Sequence, residues 1–123
     1  MPVVTPEQAP TFDTGGAIVT GLAAPSRGST ETCAWRVRFD AAHVSPRHAL
    51  DRDEIFVVLS GGLTARYDDG AERAPAGGAL IVPAGLAFEL VADDGGPTEA
   101  VCALPAGAVA EIGGETLIPP WAR

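Results

Sequence analysis

The fold is decided by residues 48–88, which read HALDRDEIFVVLSGGLTARYDDGAERAPAGGALIVPAGLAF. Short runs of Ile, Val, Phe and Leu alternate here with clusters of Gly, Pro and Asp, the residues that form tight turns. The Asp68–Asp69–Gly70 segment is a hairpin signal, and Pro83–Ala84–Gly85 marks a second turn. The spacing predicts strands at Glu54–Ser60, Leu63–Tyr67 and Ala79–Val82.

The same rhythm continues on both sides of this stretch, and it predicts strands at Glu31–Phe39, Leu86–Ala92 and Thr98–Leu104. Turn signals recur roughly every 8–12 residues, a spacing typical of sandwiches and barrels. Helical periodicity is not sustained for three turns anywhere. We therefore predict an all-β fold. A chain of 123 residues makes a single domain. Its first 15 residues or so form an arm or edge strand, and residues from about 105 to 123 form a C-terminal arm.

The spacing of His, Glu, Gly and Pro in residues 48–88 resembles the cupin superfamily. Cupin motif 1 reads G-x5-H-x-H-x3-4-E-x6-G, and motif 2 reads G-x5-P-x-G-x2-H-x3-N. The positions that match them are His48, Glu54, Gly61, Gly77, Pro83 and Gly85. The tail, Gly114–Glu115 through Pro119–Pro120–Trp121, is similar to that of small single-domain actinobacterial cupins. The resemblance implies a double-stranded β-helix (jelly-roll) barrel and a homodimer.

Other motif positions depart from the cupin pattern. Leu50 and Phe88 stand where the family has its second and third histidines, and Ala42 and Ala92 replace the first glycine and the last asparagine. Metal-binding cupins hold their ion with three His and one Glu, and transition-metal sites need at least three protein ligands. We therefore expect a degenerate metal site, and no cofactor. The alternative is a divalent transition metal on a rearranged set, His43, His48 and Glu54, in a dioxygenase or metal-assisted isomerase.

Alternation along the strands predicts what the barrel encloses, because residues of one parity share a face. Taking Glu54 as an inward position places mainly aromatic and aliphatic side chains inside. The predicted pocket residues are Trp35, Val37, Phe39, Leu50, Phe56, Tyr67, Phe88 and Leu90. Such a pocket suits a small, largely apolar ligand.

His48 and Glu54 are the predicted catalytic residues. Burial among apolar side chains should raise the pKa of Glu54 towards that of a general acid or base, and a neutral His48 would complement it. These groups predict a metal-independent lyase, isomerase or cyclase. One alternative is a non-catalytic binding or sensing protein. Another is a structural hydrogen bond between His48 and Glu54. Arg52 shares the parity of Glu54, and we expect the two to form an ion pair; the alternative is that Arg52 stabilises an anion.

Composition excludes several functions. The chain has eight Arg, no Lys and a net charge of −8, so nucleic acids and anionic membranes are poor partners. No apolar run approaches the roughly 20 residues of a membrane span, and no leader is evident, so we expect a cytoplasmic protein. Cys33 and Cys102 are expected to be buried, with a disulfide left open. Ser26–Arg27–Gly28 is expected to be a surface turn, and the alternative is that Arg27 caps a ligand carboxylate. Trp121 is expected to pack the C-terminal arm onto the barrel or a second subunit, and the alternative is a contact with the ligand.

Overall fold

The computed structural model describes all 123 residues and contains strands, two short 3-10 helices and no α-helix. The strands are β1 (Thr11–Asp13), β2 (Ala17–Ala23), β3 (Thr32–Phe39), β4 (His48–Leu50), β5 (Glu54–Ser60), β6 (Gly62–Tyr67), β7 (Gly70–Pro75), β8 (Ala79–Val82), β9 (Glu89–Ala92), β10 (Thr98–Pro105), β11 (Ala110–Ile112) and β12 (Glu115–Leu117). The 3-10 helices are Pro25–Arg27 and Pro120–Ala122. The predicted all-β class is confirmed.

The strands form two layers. One is a six-stranded antiparallel sheet in the order β1-β2-β3-β10-β5-β8. The other consists of two three-stranded sheets, β7-β6-β9 and β12-β11-β4. Isolated bridges between His48 and Phe88 and between Val44 and Val91 join these two smaller sheets. Twenty-four buried residues of both layers form one core. This is the jelly-roll arrangement that the sequence predicts.

The predicted alternation holds on the two central strands. Trp35, Val37 and Phe39 of β3 are buried, and the residues between them are exposed. On β5, Glu54 begins the same pattern, since every second side chain as far as Val58 points into the core. Because β10 pairs with both strands, their inward faces lie side by side in one sheet. This concave face forms one wall of the site described below.

Several strands lie outside the sequence prediction. The sequence analysis does not identify β2, β4 or β7, and it leaves β11 and β12 inside a C-terminal arm. Strand β7 is an edge strand with mostly exposed side chains, so it has no alternating apolar signal. Strands β4, β11 and β12 have only three residues each, which is too short for a periodic pattern. Predicted strand Leu86–Ala92 begins three residues later, at Glu89.

The outer face of β5 and β8 is unusually apolar. Ile81 is 70% exposed, and Ile55, Val57 and Leu59 are exposed beside it. The homodimer implied by the resemblance stays a prediction.

No helix in the chain is long and apolar enough to cross a bilayer.

Gly61, the closing glycine of the first motif, is required for two separate reasons. Its φ of +78° is strained for any residue with a Cβ, and that Cβ would lie 2.9 Å from the Cα of Thr98. Thr98 cannot move easily, because its buried hydroxyl donates to the Gly62 carbonyl and accepts from the Gly62 N–H. We expect Gly61→Ala to lower the free energy of unfolding by about 2–3 kcal/mol.

Gly77→Ala is the matched control for this prediction. Gly77 has a similar φ of +87°, but nothing lies within 4 Å of the Cβ position. Its replacement should therefore cost only the backbone strain, about 1 kcal/mol. Urea unfolding of both variants measures the difference. Equal losses of stability would contradict the assigned contact with Thr98.

Candidate active site

A cavity of about 260 Å³ lies between the two layers and is lined by 21 residues, 13 of them hydrophobic. Its volume is near the lower end of the roughly 300–1,000 Å³ found for small-molecule sites. Six of the eight predicted pocket residues line it: Trp35, Val37, Phe39, Leu50, Phe56 and Leu90. Both predicted catalytic residues, His48 and Glu54, also line the cavity.

Phe88 and Tyr67 do not line the cavity, contrary to the prediction. Phe88 is fully buried behind it, with its ring centroid 4.4 Å from that of His48 and 6.2 Å from that of Phe56. Phe88 thus supports two lining side chains from behind. Tyr67 is the last residue of β6, and its hydroxyl lies 3.5 Å from a carboxylate oxygen of Glu72 on the surface. Strand parity predicts the face of a residue but not its depth along the barrel.

Glu54 is the buried titratable group of the cavity. It is only 4% exposed, and its Oε1 is buried without a hydrogen-bond partner. The predicted ion pair with Arg52 is wrong, because Arg52 is exposed and takes part in none of the four ion pairs of the chain. With no cation beside it, desolvation raises the pKa of Glu54 to about 8. The carboxyl group is therefore largely protonated at pH 7.

His48 is held in one tautomer by the main chain. Its Nδ1 lies 2.8 Å from the carbonyl oxygen of Pro46, which only accepts hydrogen bonds, so Nδ1 carries the proton and Nε2 keeps a free electron pair. Burial lowers the pKa of His48 below its ordinary value, although the bond to Pro46 opposes this shift. The imidazole is thus neutral at pH 7. It forms no hydrogen bond with Glu54, so the predicted structural pairing of the two is absent.

His43 lies at the cavity wall, in the loop before β4. Its ring stacks on Phe39 at a centroid distance of 6.1 Å. The ring occupies the space where a side chain at Gly16 would begin, since a Cβ there would lie 2.7 Å from the imidazole Cε1. Gly16 therefore makes room for His43.

The donor groups do not fit a metal site. No group of three or more His, Cys, Asp or Glu side chains is placed so that it could hold an ion. The alternative ligand set His43, His48 and Glu54 is therefore not assembled, although all three line the same cavity. Leu50 and Phe88, which occupy two family histidine positions, add packing surface and no ligand atoms.

Both cysteines are free and buried. Cys102 lines the cavity, and burial raises the pKa of its thiol well above the ordinary value, with the nearby Glu54 acting in the same direction. A hydrogen bond from the Trp35 side chain has the opposite, smaller effect on this pKa. Cys33 donates to the carbonyl oxygen of Ala122. The thiols are therefore packing groups at neutral pH, as expected from the sequence.

Residues 117–123, here called the C-terminal strap, close one side of the cavity. Leu117, Pro119, Pro120 and Trp121 all belong to the lining. The Trp121 ring packs against Phe12 and Trp35, with centroids 5.9 Å and 6.2 Å away. The predicted packing of Trp121 onto the barrel is confirmed.

The other strap residues that line the cavity were not predicted from the sequence. The Pro119–Pro120–Trp121 motif was the available signal, because it fixes the backbone next to a large ring. Ala17 and Val19 of β2 and Ala110 and Ile112 of β11 were also missed. Their strands were not predicted, so no face could be assigned to them.

Comparison with solved structures identifies the fold. The polyketide cyclase RemF from Streptomyces resistomycificus aligns with a TM-score of 0.78 at 14% identity, covering 98% of this chain and 88% of RemF. An RmlC-like cupin from Shewanella frigidimarina aligns at 0.70, with 19% identity over 84% of this chain and 88% of its own. KdgF from a Halomonas species aligns at 0.69, with 19% identity over 85% of this chain and 92% of its own.

These similarities show that the chain has a cupin-type jelly-roll fold. No protein-family model matches the sequence, and no curated protein matches it. The site must therefore supply the argument for function, because one fold supports many activities.

Proposed function

We propose that this protein is an enzyme that moves protons on a small, largely apolar metabolite, with Glu54 as the acid–base group. The observation that carries the proposal is a carboxyl group buried at the wall of an apolar cavity, without an ion-pair partner and with a pKa of about 8. Perturbed titratable groups in clefts mark functional sites. The reaction would be that of a lyase, an isomerase or a cyclase.

The cavity groups suit proton transfer at a carbon next to a carbonyl. The Glu54 carboxylate takes a proton from that carbon and leaves an enolate. The protonated Glu54 then returns the proton to another carbon in an isomerisation, or to a leaving hydroxyl in a dehydration. In a cyclisation, the enolate carbon attacks a second carbonyl, whose oxygen takes the proton. A catalytic pKa near the working pH favours both directions of transfer.

His48 can assist as a neutral base or hydrogen-bond acceptor. Its Nε2 keeps an electron pair, because the proton is fixed on Nδ1 by the Pro46 carbonyl. Lowering of the pKa of His48 keeps it uncharged, so it does not stabilise the carboxylate of Glu54 as a cation would. The two groups therefore act separately. The match to RemF, a polyketide cyclase, supports cyclisation among the three reaction types.

Deuterium exchange tests the proposal without knowledge of the natural substrate. The probe is 2-tetralone, a small aromatic ketone with exchangeable protons next to its carbonyl, followed by NMR in D₂O against a protein-free control. Because the carboxylate is the base, the protein-catalysed rate should rise as pH increases through about 8 and then level off. Binding of the ketone without catalysed exchange would contradict the proposal and favour the non-catalytic binding alternative. A rate independent of pH would also contradict it.

A further inference from the structure

Two buried side-chain polar atoms in the chain lack a hydrogen-bond partner, Glu54 Oε1 and Trp121 Nε1. Both residues line the same cavity, one from the central sheet and the other from the C-terminal strap. Buried polar atoms are almost always paired in folded proteins, so an unpaired atom requires an explanation. An indole N–H only donates, and it therefore calls for an acceptor such as a carbonyl oxygen.

The charge of the cavity narrows the class of ligand. The chain has no Lys, and none of its eight Arg residues belongs to the lining. A phosphate or carboxylate ligand would therefore be buried without a counter-ion, which is costly. A cation would have to leave water for a largely apolar lining, which is costly as well. The cavity selects for an uncharged molecule.

The rings around the cavity narrow the class again. Four aromatic side chains, Trp35, Phe39, Phe56 and Trp121, line it together with the imidazoles of His43 and His48. Aromatic faces and edges pack favourably against a planar ring of the ligand. The lining therefore fits an aromatic ligand better than a flexible aliphatic one.

Hydrogen bonds from Ser26 and Arg27 hold the main chain of the strap, and with it Trp121, in place. Arg27 donates from Nη2 to the Trp121 carbonyl at 3.0 Å and from Nε to the Leu22 carbonyl at 3.4 Å. Ser26 donates to the carbonyl of Arg123 at 2.6 Å. Arg27 is thus used to hold the main chain of the strap. The indole is left fixed in the cavity wall, which lowers the entropy lost on binding.

We propose that Trp121 is a specificity-determining residue whose indole N–H donates to the carbonyl oxygen of an uncharged aromatic ketone. The carbon next to that carbonyl then lies towards Glu54. This inference rests on the proposed function, since it names the substrate class of the same site. Binding measurements test it separately from catalysis.

The first experiment uses the unaltered protein labelled with ¹⁵N. The chain has two tryptophans, so two indole N–H signals are expected. The signal that disappears in Trp121→Phe belongs to Trp121. Titration with 2-tetralone should shift the Trp121 signal, whereas tetralin, which lacks the carbonyl, should shift it much less. 2-Naphthoate, the anionic probe, should bind at least tenfold more weakly than 2-tetralone. An unmoved Trp121 signal, tighter binding of the naphthoate or no binding of any probe would overturn the proposal.

The second experiment compares two tryptophan variants by the same titrations. Trp121→Phe keeps a ring but removes the N–H, and it should reduce the preference for 2-tetralone over tetralin about fivefold. Trp35→Phe is the matched control, because it makes the same change in the lining of the same cavity at an indole that is not one of the two unpaired buried groups, and the preference should stay within about twofold. Equal losses in both variants would overturn the proposal.

Deuterium exchange and the same titrations, measured on wild type, Glu54→Gln and Trp121→Phe, separate the two proposals. If catalysed exchange is absent from all proteins but the preference for the ketone still depends on Trp121, the proposed function fails and the specificity role stands. If exchange depends on Glu54 but the preference survives in Trp121→Phe, the specificity role fails alone.

Discussion

Replacing Glu54 with glutamine should lower the rate of protein-catalysed exchange of 2-tetralone by about 10²–10⁴-fold, the contribution of one positioned acid–base group. Glutamine has almost the same shape as glutamic acid, but its amide cannot accept and return a proton near neutral pH. The loss should appear mainly in kcat, because the apolar lining that binds the ketone is unchanged.

Glu99→Gln is the control for this variant. Glu99 is on β10, next to β5, but its side chain is at the surface and pairs with Arg36. The substitution makes the same exchange of a carboxyl for an amide without reaching the cavity, so the exchange rate should not change. A Glu54→Gln protein that keeps a tenth or more of the wild-type rate would contradict the catalytic assignment.

The stability of the protein should fall as pH rises between about 4.5 and about 8, and Glu54 should be the main cause. The carboxyl group has a pKa of about 8 when folded and an ordinary value of 4.5 when exposed, so in this window the folded state binds the proton more tightly. Raising the pH then favours the unfolded state. The total loss is about 5 kcal/mol, since one pKa unit corresponds to about 1.4 kcal/mol.

Urea unfolding of wild type and Glu54→Gln at several pH values measures this effect. His48 contributes an opposite slope below its ordinary pKa of 6.5, because its pKa is lowered in the folded state. The difference between the two proteins cancels that contribution. It should grow in favour of the glutamine variant up to about pH 8 and then become constant. A difference that does not vary with pH would show that Glu54 is ionised in the folded protein.

Turn residues and strand alternation, which are local signals, were sufficient for the all-β class, and the spacing of the cupin-like motifs implied the jelly-roll barrel. Gly61, Pro83 and Gly85 mark turns, and the parity of Glu54 correctly places Phe56 on the inward face. The raised pKa of Glu54 also follows from its apolar neighbours alone. These predictions needed only residues close together in the chain.

The rest of the site depends on contacts between distant residues. The bond from Ser26 to Arg123 spans 97 positions, and no local pattern reveals it. Arg52 shares the parity of Glu54, but it follows the end of β4 and is exposed, so its guanidinium is solvated by water. Tyr67 lies on the correct face but beyond the end of the cavity. Strand parity predicts which face a side chain is on, but it does not predict its position along the barrel or its contacts with distant residues.

The C-terminal strap contributes ligand contacts from a part of the chain that is distant from the acid–base group. The acid–base group is on β5, an interior strand of the six-stranded sheet, whereas four of the 21 lining residues belong to the last seven residues of the chain. Ser26, Arg27 and Cys33 donate to main-chain carbonyls of the strap. Those contacts do not depend on the side chains of the strap. The arrangement is modular: exchanging the strap sequence offers a way to retune ligand choice by protein engineering while the catalytic strand stays intact.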